Sequence, residues 1–230
     1  MIIIITALLP AVLLWYNIYR KDQNPEPKKM LLKAAFYGML ICLPVVVVQE
    51  IMTEIFLDSE SETKTLFDSI IDAFFVAAIP EECFKLLALT FVVRKSPTFN
   101  EHFDGIVYAV CVGMGFAGLE NILYLLDETD WMEVAILRAF MSVPGHYADA
   151  VLMGYYYSVY HFINRSFSNK VMILLAPIMA HGIYDALLMM GEVDEVLAVI
   201  RFILCIGFCY ILQKIANKKI KKLLDGASNS

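Results

Sequence analysis

Pro80-Glu81-Glu82-Cys83-Phe84-Lys85 interrupts a run that is otherwise largely apolar from Ser69 to Val93. About 20 apolar residues span the hydrocarbon core of a bilayer, and this run is long enough. Two adjacent carboxylates, an ammonium and a proline stand where a membrane helix is expected to carry none of them. A charged side chain at the bilayer centre costs roughly 2.5–3.5 kcal/mol on insertion scales, so a helix bearing three must turn them toward protein or water. Such residues are functional candidates. What else in the chain can meet them decides their role.

The rest of the chain is built for lipid. Of its 230 residues, 60% are hydrophobic and 18% charged, against about 45–50% and about 25% in soluble domains; mean hydropathy is +0.66. Six further apolar windows lie near residues 2–19, 31–52, 103–126, 134–160, 170–190 and 195–216, with only short polar connections between them. The expected fold is all-α: a polytopic membrane helical bundle of about seven transmembrane helices in the cell membrane. One integral-membrane domain covers residues 1–222, and residues 223–230 form a short tail. Met1–Tyr19 has its basic residues after the apolar run rather than before it, and no small-residue cleavage site follows. It therefore reads as a retained first span and not as a cleavable signal. Cys42, Cys83, Cys111, Cys205 and Cys209 all fall in apolar segments without CxxC spacing, as small packing residues do.

The net charge of -6 hides a segregation by loop. Arg20, Lys21, Lys28, Lys29 and Lys33 follow the first window, Arg94 and Lys95 the third, His161, Arg165 and Lys170 the fifth, and Lys214, Lys218, Lys219, Lys221 and Lys222 close the last. The alternate connections are acidic: Glu54 to Asp68 with one lysine, Asp127-Glu128-Thr129-Asp130, and Glu192 with Asp194 and Glu195. The positive-inside rule then puts the N-terminus outside and the C-terminus in the cytoplasm. The basic loops are topogenic, so no nucleic acid is implied.

Orientation gives depth. Glu82 lies twelve residues before Arg94, roughly 18 Å from the cytoplasmic helix end at 1.5 Å per residue. Counting along the other windows brings Glu120 and Asn121, His146 and Asp149, and His181 and Asp185 to overlapping depths. Glu81 or Glu82 with Lys85 has the favourable helical spacing for an ion pair. Two carboxylates sharing a poorly solvated place also suit general acid/base work. Pro80 is expected to kink the helix. His146 and His181 are each followed by an aspartate three or four residues on, which can fix an imidazole tautomer. His102 and His161 fall near helix ends and read as interfacial, as does Asp104. Gly113, Gly115 and Gly118 read as close-packing residues.

No GxSxG, Ser–Lys, HExxH or phosphate-loop pattern is present. What remains is a water-activating site of Glu and His within a helical bundle. Either Glu81 or Glu82 acts as base while a histidine stabilises the oxyanion, or Glu and His hold a zinc that lowers the pKa of water. Two other readings stand beside peptide hydrolysis: a proton-coupled transporter or ion pathway using the same buried cluster, and a non-catalytic scaffold.

Glu81-Glu82-Cys83-Phe84-Lys85, Phe103-Asp104-Gly105-Ile106-Val107-Tyr108, Gly115 to Asn121, the isolated His146 and His181 to Asp185 occur in the order that resembles the PrsW family of intramembrane proteases. Tyr19-Arg20-Lys21-Asp22 followed by Pro25-Glu26-Pro27 is similar to that family's first loop. The family is distantly similar to the CAAX prenyl endopeptidases, which share the paired glutamates and distal histidines. The resemblance implies a site made from Glu81, Glu82, Glu120, His146 and His181, with Lys85, Asn121, Asp149 and Asp185 in support. It also implies cleavage of a single-pass, membrane-tethered regulator of the anti-sigma-factor type, near the outer half of the bilayer. Any metal would fall to His146, His181 and Glu120. A glutamate base without a cofactor is favoured over zinc, because Lys85 beside the pair disfavours a second cation. Ala109 departs from the glycine expected after Tyr108, which touches helix packing and not chemistry.

Overall fold

In the computed structural model, residues 1–57, 65–189 and 195–227 are described, and no strand occurs among them. The helices are α1 (Ile2–Lys21), α2 (Lys28–Phe56), α3 (Leu66–Ile71), α4 (Ile79–Val93), α5 (Asp104–Asp127), α6 (Trp131–Phe140), α7 (Ser142–Ser158), α8 (Phe167–Met189) and α9 (Glu195–Ala227). Two π-helical stretches, Asp72–Ala78 and Val159–Ile163, join α3 to α4 and extend α7. The acidic residues Asp58, Glu60, Glu62, Glu192 and Asp194, with Lys64, lie outside the described residues. So does the end of the tail, 228–230; α9 itself continues past Lys222 to Ala227.

Five helices, α1, α2, α5, α8 and α9, are long and apolar enough to cross a membrane by length and composition. The other two apolar windows are each divided, and proline explains where. Pro80 has no N–H to give Val76, and its ring would press on that carbonyl in a regular α-helix. The preceding turn is widened instead: the Ile79 N–H bonds to Phe74 O, five residues back, and Pro80 becomes the second residue of α4. In the 134–160 window, α6 stops at Phe140, Met141 leaves helical geometry (φ -123, ψ -64), and α7 begins with Pro144 in its first turn. A proline is tolerated there because first-turn amides lack helical partners.

Helix α5 is the centre of the bundle. Every residue from Asp104 to Gly118 is buried except Gly115, which is partly so. Its neighbours α2 and α7 come close because glycines meet backbone. A Cβ on Gly38 would strike the Val112 carbonyl, and one on Gly115 the Ala35 carbonyl. On the other side Gly105 and Gly154 face each other, so that a Cβ on Gly154 would sit 2.7 Å from Ile106 Cα. Between lipid-facing helices, where no hydrophobic force drives association, such close contact is what holds backbones together. Ala109 is buried in the same packing without displacing it. Large apolar side chains on α1, α2 and α9 remain exposed on the outside of the bundle.

Candidate active site

The π-to-α switch at Pro80 points Glu81, Glu82 and Lys85 into the bundle, where all three are buried. The Lys85 ammonium has three N–H groups, and three acceptors surround it: Glu81 Oε2 at 3.1 Å, Glu82 Oε1 at 2.7 Å and His146 Nδ1 at 3.1 Å. Its charge also lies 4.3 Å from the Phe116 ring centre. The hydrogen-bond arithmetic then fixes both imidazoles. An ammonium only donates, so His146 Nδ1 accepts, and its Nε2–H faces Glu120 Oε2 at 3.0 Å. His146 is the neutral Nε2–H tautomer.

His181 differs. Its Nδ1 lies 3.0 Å from Glu82 Oε1 and its Nε2 lies 3.0 Å from Asp185 Oδ2, with Glu81 Oε2 at 3.8 Å. Two ring nitrogens against ionised carboxylates both donate, which is the imidazolium pattern. The two rings stand edge to face with centres 5.3 Å apart. The site thus pairs a neutral histidine with a charged one.

The two glutamates are not equivalent. Glu82 is 0% exposed, ties Lys85 to His181 through one oxygen, and has its other oxygen buried without a hydrogen-bond partner among the described residues. Glu81 receives Lys85 and Gln49 Nε2 (3.2 Å) and lines a cavity of about 600 Å³. Glu120, His146, Asp149, His181 and Asp185 share that wall. Glu82 does not.

Glu120 is also held by the Arg138 guanidinium, whose Nε donates to Asn121 Oδ1 at 2.6 Å. Asn121, at the same depth, does not face the carboxylate pair; its amide donates to Ala7 O on α1, at 3.1 Å. It supports Glu120 through Arg138. Asp149 makes no hydrogen bond to His146, and its Oδ1 is buried unpartnered among the described residues. Asp185 pairs with its histidine as the spacing suggested. His161 stacks on Tyr157, His102 packs edge-on to Phe162, and Asp104 accepts the amides of Asn100 and Glu101 ahead of α5. None of these three lines the cavity.

Arg138 and Gln49 are the residues the motifs did not supply. Arg138 carried a legible signal, a full charge inside an apolar window. Gln49 carried little, since a polar residue near a helix end is ordinary.

Glu81, Glu82, His146 and His181 each offer a ligand atom within 4.8 Å of the others. Carboxylate and imidazole are zinc ligands, and the spacing suits one ion. Glu120 stands outside that quartet, beyond the second nitrogen of His146. Three of the four donors already hold the Lys85 ammonium, so the quartet fits a metal only with Lys85 turned out of it.

A family described as PrsW family intramembrane metalloprotease matches residues 26–212 of the chain. Among curated proteins, Protease PrsW of Oceanobacillus iheyensis is 37% identical over 187 residues, 81% of this chain and 82% of that protein. Protease PrsW of Clostridioides difficile is 31% identical over 225 residues, 95% of this chain and 90% of that one. Protease PrsW of Bacillus subtilis is 33% identical over 189 residues, 81% and 82% of the two chains. No solved structure matches.

Proposed function

The chain belongs to the PrsW family of intramembrane proteases, and from that premise we propose that Glu81 is the general base of a glutamic endopeptidase acting on a membrane-tethered protein. Glu81 takes a proton from water as the water oxygen bonds to the scissile carbonyl carbon. The carbonyl electrons move onto oxygen, where the His181 imidazolium, 3.8 Å from Glu81, supplies the opposing charge. The intermediate collapses with cleavage of the C–N bond, and Glu81 returns the proton to the leaving amine. Glu82, Lys85, Asp185 and Glu120 position these groups, and positioning in a site shielded from water is where most of the rate gain arises.

The observation that carries this assignment is the difference between the glutamates: Glu81 lines the cavity, whereas Glu82 is enclosed. Glu81→Gln, reconstituted in liposomes with a single-pass substrate, should lower kcat by about 10²–10⁴-fold, the usual contribution of a general base. Unchanged cleavage would overturn the assignment. Ion or solute flux by the wild type without any proteolysis would favour the transporter reading instead.

Seven passes with the N-terminus outside are part of the same proposal. Arg94 and Lys95, Arg165 and Lys170, and the lysines of α9 on one side, with the acidic Asp127, Glu128 and Asp130 on the other, support it. The cavity reaches Glu128, on the outer side in that orientation, which supports cleavage in the outer half of the bilayer. A single-pass regulator of the anti-sigma-factor type is the substrate class proposed.

The four-donor cluster favours a second reading. With Lys85 turned away, Glu81, Glu82, His146 and His181 would hold a zinc, which when bound supplies a water of lowered pKa. Hydrolysis that survives exhaustive chelation, with bound zinc measured in the same sample, supports the glutamic reading. Loss on chelation and recovery with zinc supports the metal.

A further inference from the structure

The site cavity has two neighbours of opposite character. One, about 600 Å³, lies between α2 and α5, shares Gln49, Glu120, Tyr124 and Glu128 with the site, and is lined also by the exposed Glu50 and Asp127. The other, about 400 Å³, lies between α6 and α9 and shares Leu137, Met141 and Phe202 with the site. Its remaining wall is almost wholly apolar, with Ile136, Phe140 and Ile206 exposed along it. Helix α6 packs on α1, α5 and α7, and α9 on α7 and α8. The groove is the gap left between them.

We propose that the α6–α9 groove docks the apolar transmembrane helix of a single-pass protein and delivers it to Glu81 across Leu137, Met141 and Phe202, while water arrives from the α2–α5 side. The inference rests on the protease reading of the site and adds to it a subsite and a direction of approach. Exposed apolar residues on a membrane helix ordinarily meet lipid and need no other partner. This groove differs in its continuity: it runs from a lipid-compatible face into a chamber holding Glu81, Glu120 and His146. An acyl chain gains nothing from that chamber, whereas a peptide bond can be hydrolysed only there. The junction also coincides with the helix break at Met141. Gln213 Nε2 donates to Pro144 O at 2.6 Å and pins α9 to α7 beside the same groove.

Docking can be read without turnover. A benzophenone amino acid is placed at Phe140 or Ile206 in the full chain carrying Glu81→Gln, and at Leu87 or Phe91 on the exposed face of α4 as controls. Each is reconstituted with a synthetic single-pass polypeptide bearing an apolar span of about 20 residues and irradiated. Groove positions should give at least about tenfold more polypeptide adduct than the α4 positions, a difference of one decade in local occupancy. Equal labelling of both faces, or lipid adducts alone in the groove, would overturn the proposal.

A second measurement uses the catalytically intact chain. Ile206→Trp fills the groove away from the site and should raise KM for the single-pass polypeptide about tenfold with kcat little changed, the pattern of lost ground-state binding. Hydrolysis of a short water-soluble peptide should be unaffected. A parallel loss on both substrates, or no effect on either, would count against the groove. Failure of the wild type to cleave anything would remove the protease reading, and the crosslinking result would still decide whether the groove docks a helix.

Discussion

Lys85 Nζ lies 3.1 Å from His146 Nδ1, joining α4 to α7 across the middle of the bundle while it also holds Glu81 and Glu82. One ammonium therefore neutralises the carboxylate pair, fixes the tautomer of a histidine and occupies the point a metal would take.

Lys85→Met should cost both stability and activity. Removing one partner from a buried ionic network leaves uncompensated charge and costs about 3–5 kcal/mol; here both carboxylates would be left facing each other. Thermal unfolding of the purified variant in detergent should show a lower midpoint than the wild type. The same variant separates the two chemical readings: zinc binding with retained hydrolysis would identify the metal as resident, whereas loss of hydrolysis is expected whether or not zinc enters the vacated point.

Asp185→Asn should slow the reaction without abolishing it. Asp185 is the second carboxylate on His181, and losing its charge weakens the hold on the imidazolium at Nε2. Substitution of such an orienting partner typically costs about 10–100-fold. The loss should lie in kcat rather than KM, because Asp185 touches His181 and does not have to touch the substrate. A fall in KM-controlled binding alone would argue that Asp185 serves the substrate and not His181.

Much of this arrangement was legible because charge in an apolar window is expensive and therefore conspicuous. Glu81, Glu82, Lys85, His146, His181 and Asp185 stood out in that way, and helix rise gave their depth. Depth carries no azimuth, however. Asn121 is one residue from Glu120, about 100° around the helix, and so reaches α1 while Glu120 reaches His146. The same blindness placed Asp149 with His146, to which it makes no hydrogen bond. The π-helical widening has no residue signature of its own; Pro80 announced that the helix must change, not that it would widen over Asp72–Ala78. The break at Met141 divides the 134–160 window, which hydropathy alone presents as one span.

Arg138→Leu and Arg138→Lys should differ. The guanidinium forks between Glu120 and Asn121, a geometry that lysine cannot reproduce although it keeps the charge. With leucine, Glu120 is no longer held against His146, and kcat should fall about 10–100-fold, as for other orienting partners. Lysine should recover part of that loss through its pairing with Glu120. Wild-type activity in both variants would show that Arg138 fills space and positions nothing.

Asp22, just after α1, offers a pH test outside the spanning segments. Its Oδ1 accepts the Asn24 amide, but its Oδ2 is buried without a hydrogen-bond partner among the described residues. Burial pushes its carboxyl above the ordinary value; the Asn24 and Glu26 amides pull it down, the Glu26 and Glu101 charges push it up, and burial outweighs the amides. The folded chain therefore holds this proton more tightly than the unfolded chain does. Stability linked to Asp22 is full below the unfolded value of about 3.9 and is lost as pH rises through the higher folded value. Asp22→Asn removes that dependence. The variant should unfold at a higher temperature than the wild type at neutral pH, with the gap closing as pH falls toward 4, about the unfolded value. A gap that widens on acidification would mean that Asp22 is stabilised as the carboxylate.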